Sequence, residues 1–454
     1  MKQSWSKSVF PIAALFSFRM LGLFMLIPVF TVYANQLTAA TPMLIGIALG
    51  SYGLSQGLLQ IPFGMLSDRF GRKPVITLGL ILFAVGSLLG AFTTSIYGMI
   101  IARSLQGTGA IGSVLIALLA DLTPDGQRTK AMAVIGVTIG LSFSLAMILS
   151  PAITHCFGLA GIFYLTTVLA LFGLLLLHVV IPTPKKEPFH LDNEAQPALF
   201  KTVLSNPHLQ RLNTSIFFQH FILTATFFTI PLMLQQQIKL GHLSQQWHFY
   251  LPLMVFSFIV MVPFLSLAEK KNKIKPVFLM SVIVTCLCQL TLAFTYQSWL
   301  AICSLMFAYF VVFNILEASL PSLVSRQAHT ASKGTAMGIY SSSQFLGIFA
   351  GGAIAGIVYQ YNGSQGIFIV NSLVSLLWLS IACYLKPNVY QVTLLLHYDN
   401  TKQDATSLAN RLRLLPGVLE VAVAEEESAL YLRIDKAHYQ EGSADRLVRE
   451  ISTS

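Results

Sequence analysis

Twelve times along this 454-residue chain the sequence stays apolar for about 20 residues or more, which is the length a helix needs to cross the hydrocarbon core of a bilayer. The runs fall at residues 10–34, 43–66, 75–94, 96–119, 131–153, 157–181, 212–236, 247–268, 277–295, 298–323, 334–358 and 364–385. Backbone polar groups in lipid must be satisfied within the segment, so a helix is the expected form of each run. Pro28, Pro62, Pro231, Pro252 and Pro263 interrupt several of them, which spanning helices tolerate where neighbours satisfy the freed carbonyl. Only 10% of the residues are charged, against about 25% in a soluble domain, and the mean hydropathy is +0.70. The first run lacks a small-residue cleavage site after a short apolar core, so it is expected to be a retained anchor rather than a signal peptide.

The charges orient the runs. Loops on the N-terminal side carry Lys2, Lys7, Arg69, Arg72, Lys73, Arg128, Lys130, Lys185, Lys186, Lys201 and Arg211. They continue with Lys270, Lys271, Lys273, Lys275, Arg326 and Lys333, whereas the opposite side carries Lys239 alone. That asymmetry puts the N-terminal side in the cytoplasm, and an even number of spans returns the C-terminus there. Residues 1–385 hold a net charge of +12 and the remaining 69 a net of −2. The basic excess lies in short loops between apolar runs, which favours anionic lipid over nucleic acid as its partner. Cys156, Cys286, Cys288, Cys303 and Cys383 all lie in or beside apolar runs, with no spacing that suggests a disulfide framework or a metal site. No phosphate-binding GxxxxGK[ST] loop is present, so ATP is not expected as the energy source; no cofactor is expected.

The organisation is repeated. The polar stretch 182–211 separates six runs from six, and a shift of about 200 residues lays IPFGMLSDRFGRKPV (61–75) over VPFLSLAEKKNKIKPV (262–277). The same shift lays KAMAVIGVTIG (130–140) over TAMGIYSSSQF (335–345). Parallel repeats of this kind build alternating-access carriers. The expected domains are therefore an N-terminal half (1–181), a cytoplasmic linker (182–211), a C-terminal half (212–385) and a cytoplasmic tail (386–454).

The stretch Gly64-Met-Leu-Ser-Asp68-Arg69-Phe-Gly71-Arg72-Lys73, together with Arg103, Gln106, Gly107 and Gly109 in ARSLQGTGA, resembles the major facilitator superfamily. The resemblance implies twelve helices in two six-helix halves, a bacterial inner-membrane location and secondary transport rather than enzymatic chemistry. It also implies a conformational latch at Gly64, Asp68, Arg69, Gly71, Arg72 and Lys73, in which Asp68 is held against the start of helix eleven near Gly334 and Thr335. Asp121 ends the fourth run and is positioned to pair with Arg72. The alternative role for this loop is a topological anchor. Its second-half copy is degenerate, with Glu269 in place of the aspartate and Asn272 in place of a glycine.

Ionisable groups at membrane depth are costly and mark function by default. Arg19, Arg103, His220 and Glu317 stand there, with the uncharged Asn314, Gln344, Gln56, Gln60 and Asn371 available to line a cavity. Arg19 suits an anionic or carboxyl-bearing solute, with a fixed ion pair or snorkelling as the alternative. Glu317 and His220 suit proton coupling, and for Arg103 the resemblance implies an organising role within its own half. Proton antiporters of the superfamily carry a Gly-Pro followed by a glycine pair in helix five. Here Gly136 and Gly140 keep the spacing, but Leu141 stands at the proline position, which weakens a drug/proton antiport reading. The expected function is a proton-coupled carrier of a small solute, the other possibility being a receptor or scaffold on the same fold.

After Pro387 the pattern changes to strand (389–398), helix (404–415), strands (418–424 and 429–434) and helix (444–451). That β-α-β-β-α order predicts a small ferredoxin-like α+β unit. Without a cysteine in the tail, soft-metal binding is not expected. Docking of a regulatory ligand or self-association are the candidate roles.

Overall fold

A computed structural model describes residues 6–123, 125–183, 197–270, 273–328, 332–385, 391–397, 405–424, 429–435, 438–440 and 442–453. Residues 184–196 of the expected linker and 398–404 of the first tail loop lie outside the described residues. The chain divides into two compact units: residues 1–324 with 334–385, and residues 325–333 with 386–454.

The first unit is helical throughout. Its elements are α1 (Ser6–Phe24), α2 (Phe30–Ala34), α3 (Pro42–Phe70), α4 (Arg72–Phe92), α5 (Ile96–Thr108), α6 (Gly112–Asp121), α7 (Asp125–Val179), α8 (Pro197–Ser205), α9 (Pro207–Lys239), α10 (Trp247–Lys270), α11 (Ile274–Thr295), α12 (Trp299–Gln327) and α13 (Lys333–Cys383). Local sequence sets their starts. Thr41 accepts a hydrogen bond from the Leu44 amide at 3.3 Å ahead of Pro42. Asn206 does the same for His208 at 3.0 Å ahead of Pro207, a favoured pairing of cap and first-turn proline.

The expectation of twelve separate spans needs correcting. Among the described residues nine helices are long and apolar enough to cross a membrane. Two of these, Lys130–Val179 and Gly334–Cys383, run 50 residues each, where the sequence predicts two spans joined by a loop. The connections are short: only Gly158 (φ 64°) and Gly363 (φ 60°) leave the helical path, so each 50-residue stretch holds two helices joined at a one-residue kink. The first expected span divides instead: Ser8–Phe24 is a shorter apolar helix, followed by turns and then α2. Leu78, Ile81, Val85 and Leu88 of α4 and Leu171, Phe172 and Leu175 of α7 are exposed, as a lipid-facing surface requires. By contrast α9 is buried along most of its length.

Within this unit α3 meets α13 through glycines. A methyl group on Gly50 would lie 2.8 Å from the Phe349 carbonyl oxygen, and one on Gly57 would lie 3.1 Å from that of Ser342. Gly46 faces the Gly352 and Gly356 backbone. Small residues at such crossings let helix backbones approach closely.

The second unit contains β1 (Gln391–His397), α14 (Ala405–Arg413), β2 (Val418–Ala424), β3 (Ala429–Asp435) and α15 (Ser443–Thr453). Its sheet is antiparallel with order β1-β3-β2, and Leu394 and Val421 both pair with Leu432. Leu396, Leu408, Leu412, Val421, Leu430, Leu432 and Ile434 form the core. The ferredoxin-like expectation is also corrected. That fold needs a fourth strand after the second helix, and three strands are all the described residues contain.

Candidate functional site

The loop between α3 and α4 is built around Arg72. Gly71 makes the turn with φ 94°, a conformation that glycine adopts without strain. This brings Arg72 back onto Asp68 one turn earlier on α3. Its Nε donates to Asp121 at the end of α6 at 2.9 Å, and its Nη1 donates to Ser67 Oγ at 2.7 Å. Lys73 Nζ donates to the Ile181 carbonyl at 2.6 Å, just beyond the end of α7. In the second half Lys275 makes the equivalent bond, 2.9 Å to the Cys383 carbonyl at the end of α13. A cation at a helix C-terminus is favoured by the free carbonyls there. The two Lys-Pro pairs that the repeat aligns therefore cap the last helix of their own halves. Arg69 lies over the Phe70 ring at 5.5 Å, and Gly64 faces Ser113.

Asp68 remains 42% exposed on this face. A methyl group on Gly334 or Gly338 would meet nothing within 4 Å. The glycine seam between α3 and α13 is thus closed from Gly46 to Gly57 and open beyond. The closed end is the one opposite the basic loops, and the open end is the one that carries them.

Arg19, on α1, is 2% exposed. Its Nη2 donates to Gln56 Oε1, to the Tyr52 hydroxyl at 3.4 Å and to the Gly109 carbonyl at 3.3 Å. Gln56 in turn donates to Gln60 at 2.8 Å. Arg103, 1% exposed, lies over the Tyr52 ring at 4.8 Å and donates to Gln106 at 2.8 Å. Gln106 donates to Ser87 at 2.8 Å.

In the second half, three helices bring the titratable groups together. Gln219 on α9 donates to Glu317 Oε2 on α12 at 3.0 Å. Gln344 on α13 lies 2.8 Å from His220 Nε2 and 3.5 Å from Glu317 Oε1. His220 Nε2 lies 3.8 Å from Glu317 Oε2. Because His220 Nδ1 faces the Ile216 carbonyl at 3.3 Å, the ring proton belongs on Nδ1 and Nε2 accepts from Gln344. Asn314 stays apart, donating to Ser257 at 3.1 Å. Asn371 joins a buried cluster with Thr226 and Gln289, at 3.1 and 3.0 Å. Sequence reasoning missed Tyr52 and Gln219; both are uncharged in apolar runs, and only their spacing from Gln56 and His220 could have pointed to them.

The Major Facilitator Superfamily profile matches residues 12–352 and 274–396. The chain belongs to this superfamily. It is 39% identical to the inner membrane transport protein YajR of Escherichia coli over 98% of this chain and 97% of that one. A transporter of Buchnera aphidicola is 34% identical over 82% of this chain and 95% of its own. Among solved structures, a bacterial homologue of the human lysosomal transporter Spinster, inward-facing and occupied, superposes with a TM-score of 0.66. It shares 12% identity over 84% of this chain and 97% of its own, a likeness of fold. The superfamily member described here is a multi-pass protein of the bacterial inner membrane. It is a secondary active transporter that moves a small solute by alternating access, and not an enzyme.

Proposed function

We propose that this carrier couples solute movement to protons through Glu317 and His220. The observation that carries the proposal is the convergence of α9, α12 and α13 on Glu317, a carboxylate away from the ends of its helix that, among the described residues, accepts from the amides of Gln219 and Gln344 and lies 3.8 Å from His220 Nε2. Protonation of Glu317 would weaken its hold on the Gln219 and Gln344 amides, so proton occupancy and the packing of three helices change together. Asp68, Arg69, Arg72, Lys73 and Asp121, with Gly64 and Gly71, form the cytoplasmic latch. In this inward-open arrangement Asp68 is held by Arg72, and closure would carry the α3 end onto the start of α13 near Gly334. Both termini are cytoplasmic, the halves 1–181 and 212–385 rock about the seam, and the tail docks a regulatory ligand or a second copy.

The test uses purified protein in proteoliposomes with an imposed pH gradient and a pH-sensitive dye inside. A solute that moves protons with the wild type and not with Glu317→Gln supports the coupling. Proton movement undiminished in that variant would falsify it.

A further inference from the structure

We infer that the solute is a small organic anion, whose oxyanion head docks at Arg19 beside Tyr52 and the start of α6. The inference rests on the carrier reading but not on its proton step.

The first half buries two guanidinium groups around one tyrosine, Arg19 at its hydroxyl and Arg103 on its ring face. Among the described residues no carboxylate comes within 4 Å of either. Their partners are amides, a phenol and a carbonyl. A buried charge normally carries a counter-ion, because desolvation costs far more than neutral hydrogen bonds return. Arg19 Nε and Arg103 Nε lack any hydrogen-bond partner and are shielded from solvent.

The backbone adds to the same charge. The fourth run is broken between α5 and α6, and α6 restarts at Gly112. A methyl group on Gly112 would lie 3.2 Å from Arg19 Nη1 and 3.1 Å from Gln60 Nε2. The guanidinium therefore faces the N-terminus of a helix of 10 residues, where free amides and the helix dipole are themselves positive. Two positive features held against each other are stable when an anion lies between them. Tyr52 accepts from Arg19, which leaves its hydroxyl proton free to donate to that anion. Arg103, behind the ring, strengthens the donor without touching the solute. Arg19 is the binding residue and Arg103 a positioning one.

The experiment follows thermal unfolding of the full-length protein in detergent at fixed pH and matched ionic strength. The additives are sodium benzoate, sodium succinate, sodium phosphate, benzamide and sodium chloride. A saturable rise in Tm with at least one oxyanion, absent with benzamide and chloride, is expected. Its apparent affinity should fall tenfold or more in Arg19→Gln and several-fold in Tyr52→Phe. No rise with any oxyanion, an equal rise with benzamide, or a rise that survives Arg19→Gln overturns the inference. Should Arg19→Gln not fold, Arg19→Lys and Tyr52→Phe decide, and unchanged affinity in both overturns it. Response to benzoate or succinate without phosphate assigns a carboxylate head, and the converse assigns a phosphoryl head. An anion-dependent rise without proton-coupled flux would remove the coupling proposal and leave this one. Proton-coupled flux of a neutral or cationic solute without such a rise would do the reverse.

Discussion

Replacing Gly50 by alanine tests whether the glycine seam sets the conformational equilibrium. The new methyl group would sit 2.8 Å from the Phe349 carbonyl oxygen and 2.9 Å from the Phe349 Cα. Carbon–oxygen contacts settle at about 3.3–3.6 Å, so α3 and α13 must separate by about 0.5–0.8 Å at this level. Both obstacles are backbone, and no side-chain rotation relieves them. Overpacking of this kind costs about 1–3 kcal/mol, and at 1.36 kcal/mol per decade this weakens the observed state by about 5- to 150-fold. The strain exists only where the seam is closed. The equilibrium should therefore move toward the state open on the side away from the basic loops. Spin labels at Thr38 and Tyr361, both exposed, would read this by pulsed electron–electron resonance, after replacement of the exposed Cys156 and Cys383. Gly50→Ala should add a longer component to the distance distribution and slow turnover. An unchanged distribution with unchanged flux would refute the reasoning. Gly338→Ala is the internal comparison, because nothing lies within 4 Å of its methyl position here; it should not weaken the observed state.

Asp68→Asn should leave Tm nearly unchanged, since an exposed pair of this kind contributes about 0–1 kcal/mol, while reducing flux at least tenfold; equal flux at equal expression would remove the latch. Glu317→Gln should abolish pH-gradient-driven accumulation of the solute yet permit exchange of labelled for unlabelled solute, as counterflow would measure. Leu432→Ala removes a fully buried side chain from the tail core at a cost of about 2–5 kcal/mol; limited proteolysis should then cut the tail and spare the helical unit. Deleting 388–454 should yield an inserted, monodisperse helical protein by size exclusion, and wholesale aggregation would count against a separate tail.

The sequence made the spanning runs legible because membrane length and backbone satisfaction leave few alternatives. It could not show that one residue each, Gly158 and Gly363, makes the break within α7 and α13; the polar Gln360, Asn362, Ser364 and Gln365 read as a loop, yet the chain is helical on both sides of Gly363. Nor could it show the interruption between α5 and α6, where Gly107, Gly109 and Gly112 stand without a proline. The tail helices and strands were readable from period and turn residues, but a ferredoxin-like sheet required a strand that local pattern could not supply. For the site, charge was visible and company was not. Arg19 and Glu317 announce themselves by their cost in lipid, whereas Tyr52 and Gln219 acquire meaning only through the helices that bring them alongside. The repeat did carry geometry in one place: Lys73 and Lys275, aligned by sequence, cap matching helix ends at 2.6 and 2.9 Å.

The two halves have kept that shared frame but divided the charges between them. Away from the helix ends the first half presents guanidinium groups without an acid, and the second presents Glu317 with His220 and amides. On the proposed assignments the anion is held by one half and the proton by the other. The membrane potential gives this division a consequence. Each elementary charge moved across 100 mV is worth about 2.3 kcal/mol, so bringing a monoanion into a negative interior alone would be opposed by that amount. Carrying it with one proton on Glu317 makes the step electroneutral. Uptake of a monoanion should then respond to a pH gradient and not to a potassium-diffusion potential set with valinomycin. In Glu317→Gln, where no proton travels, residual movement should become sensitive to that potential. Wild-type flux that follows the potential at constant pH would break the pairing of anion and proton, even if each site binds as proposed.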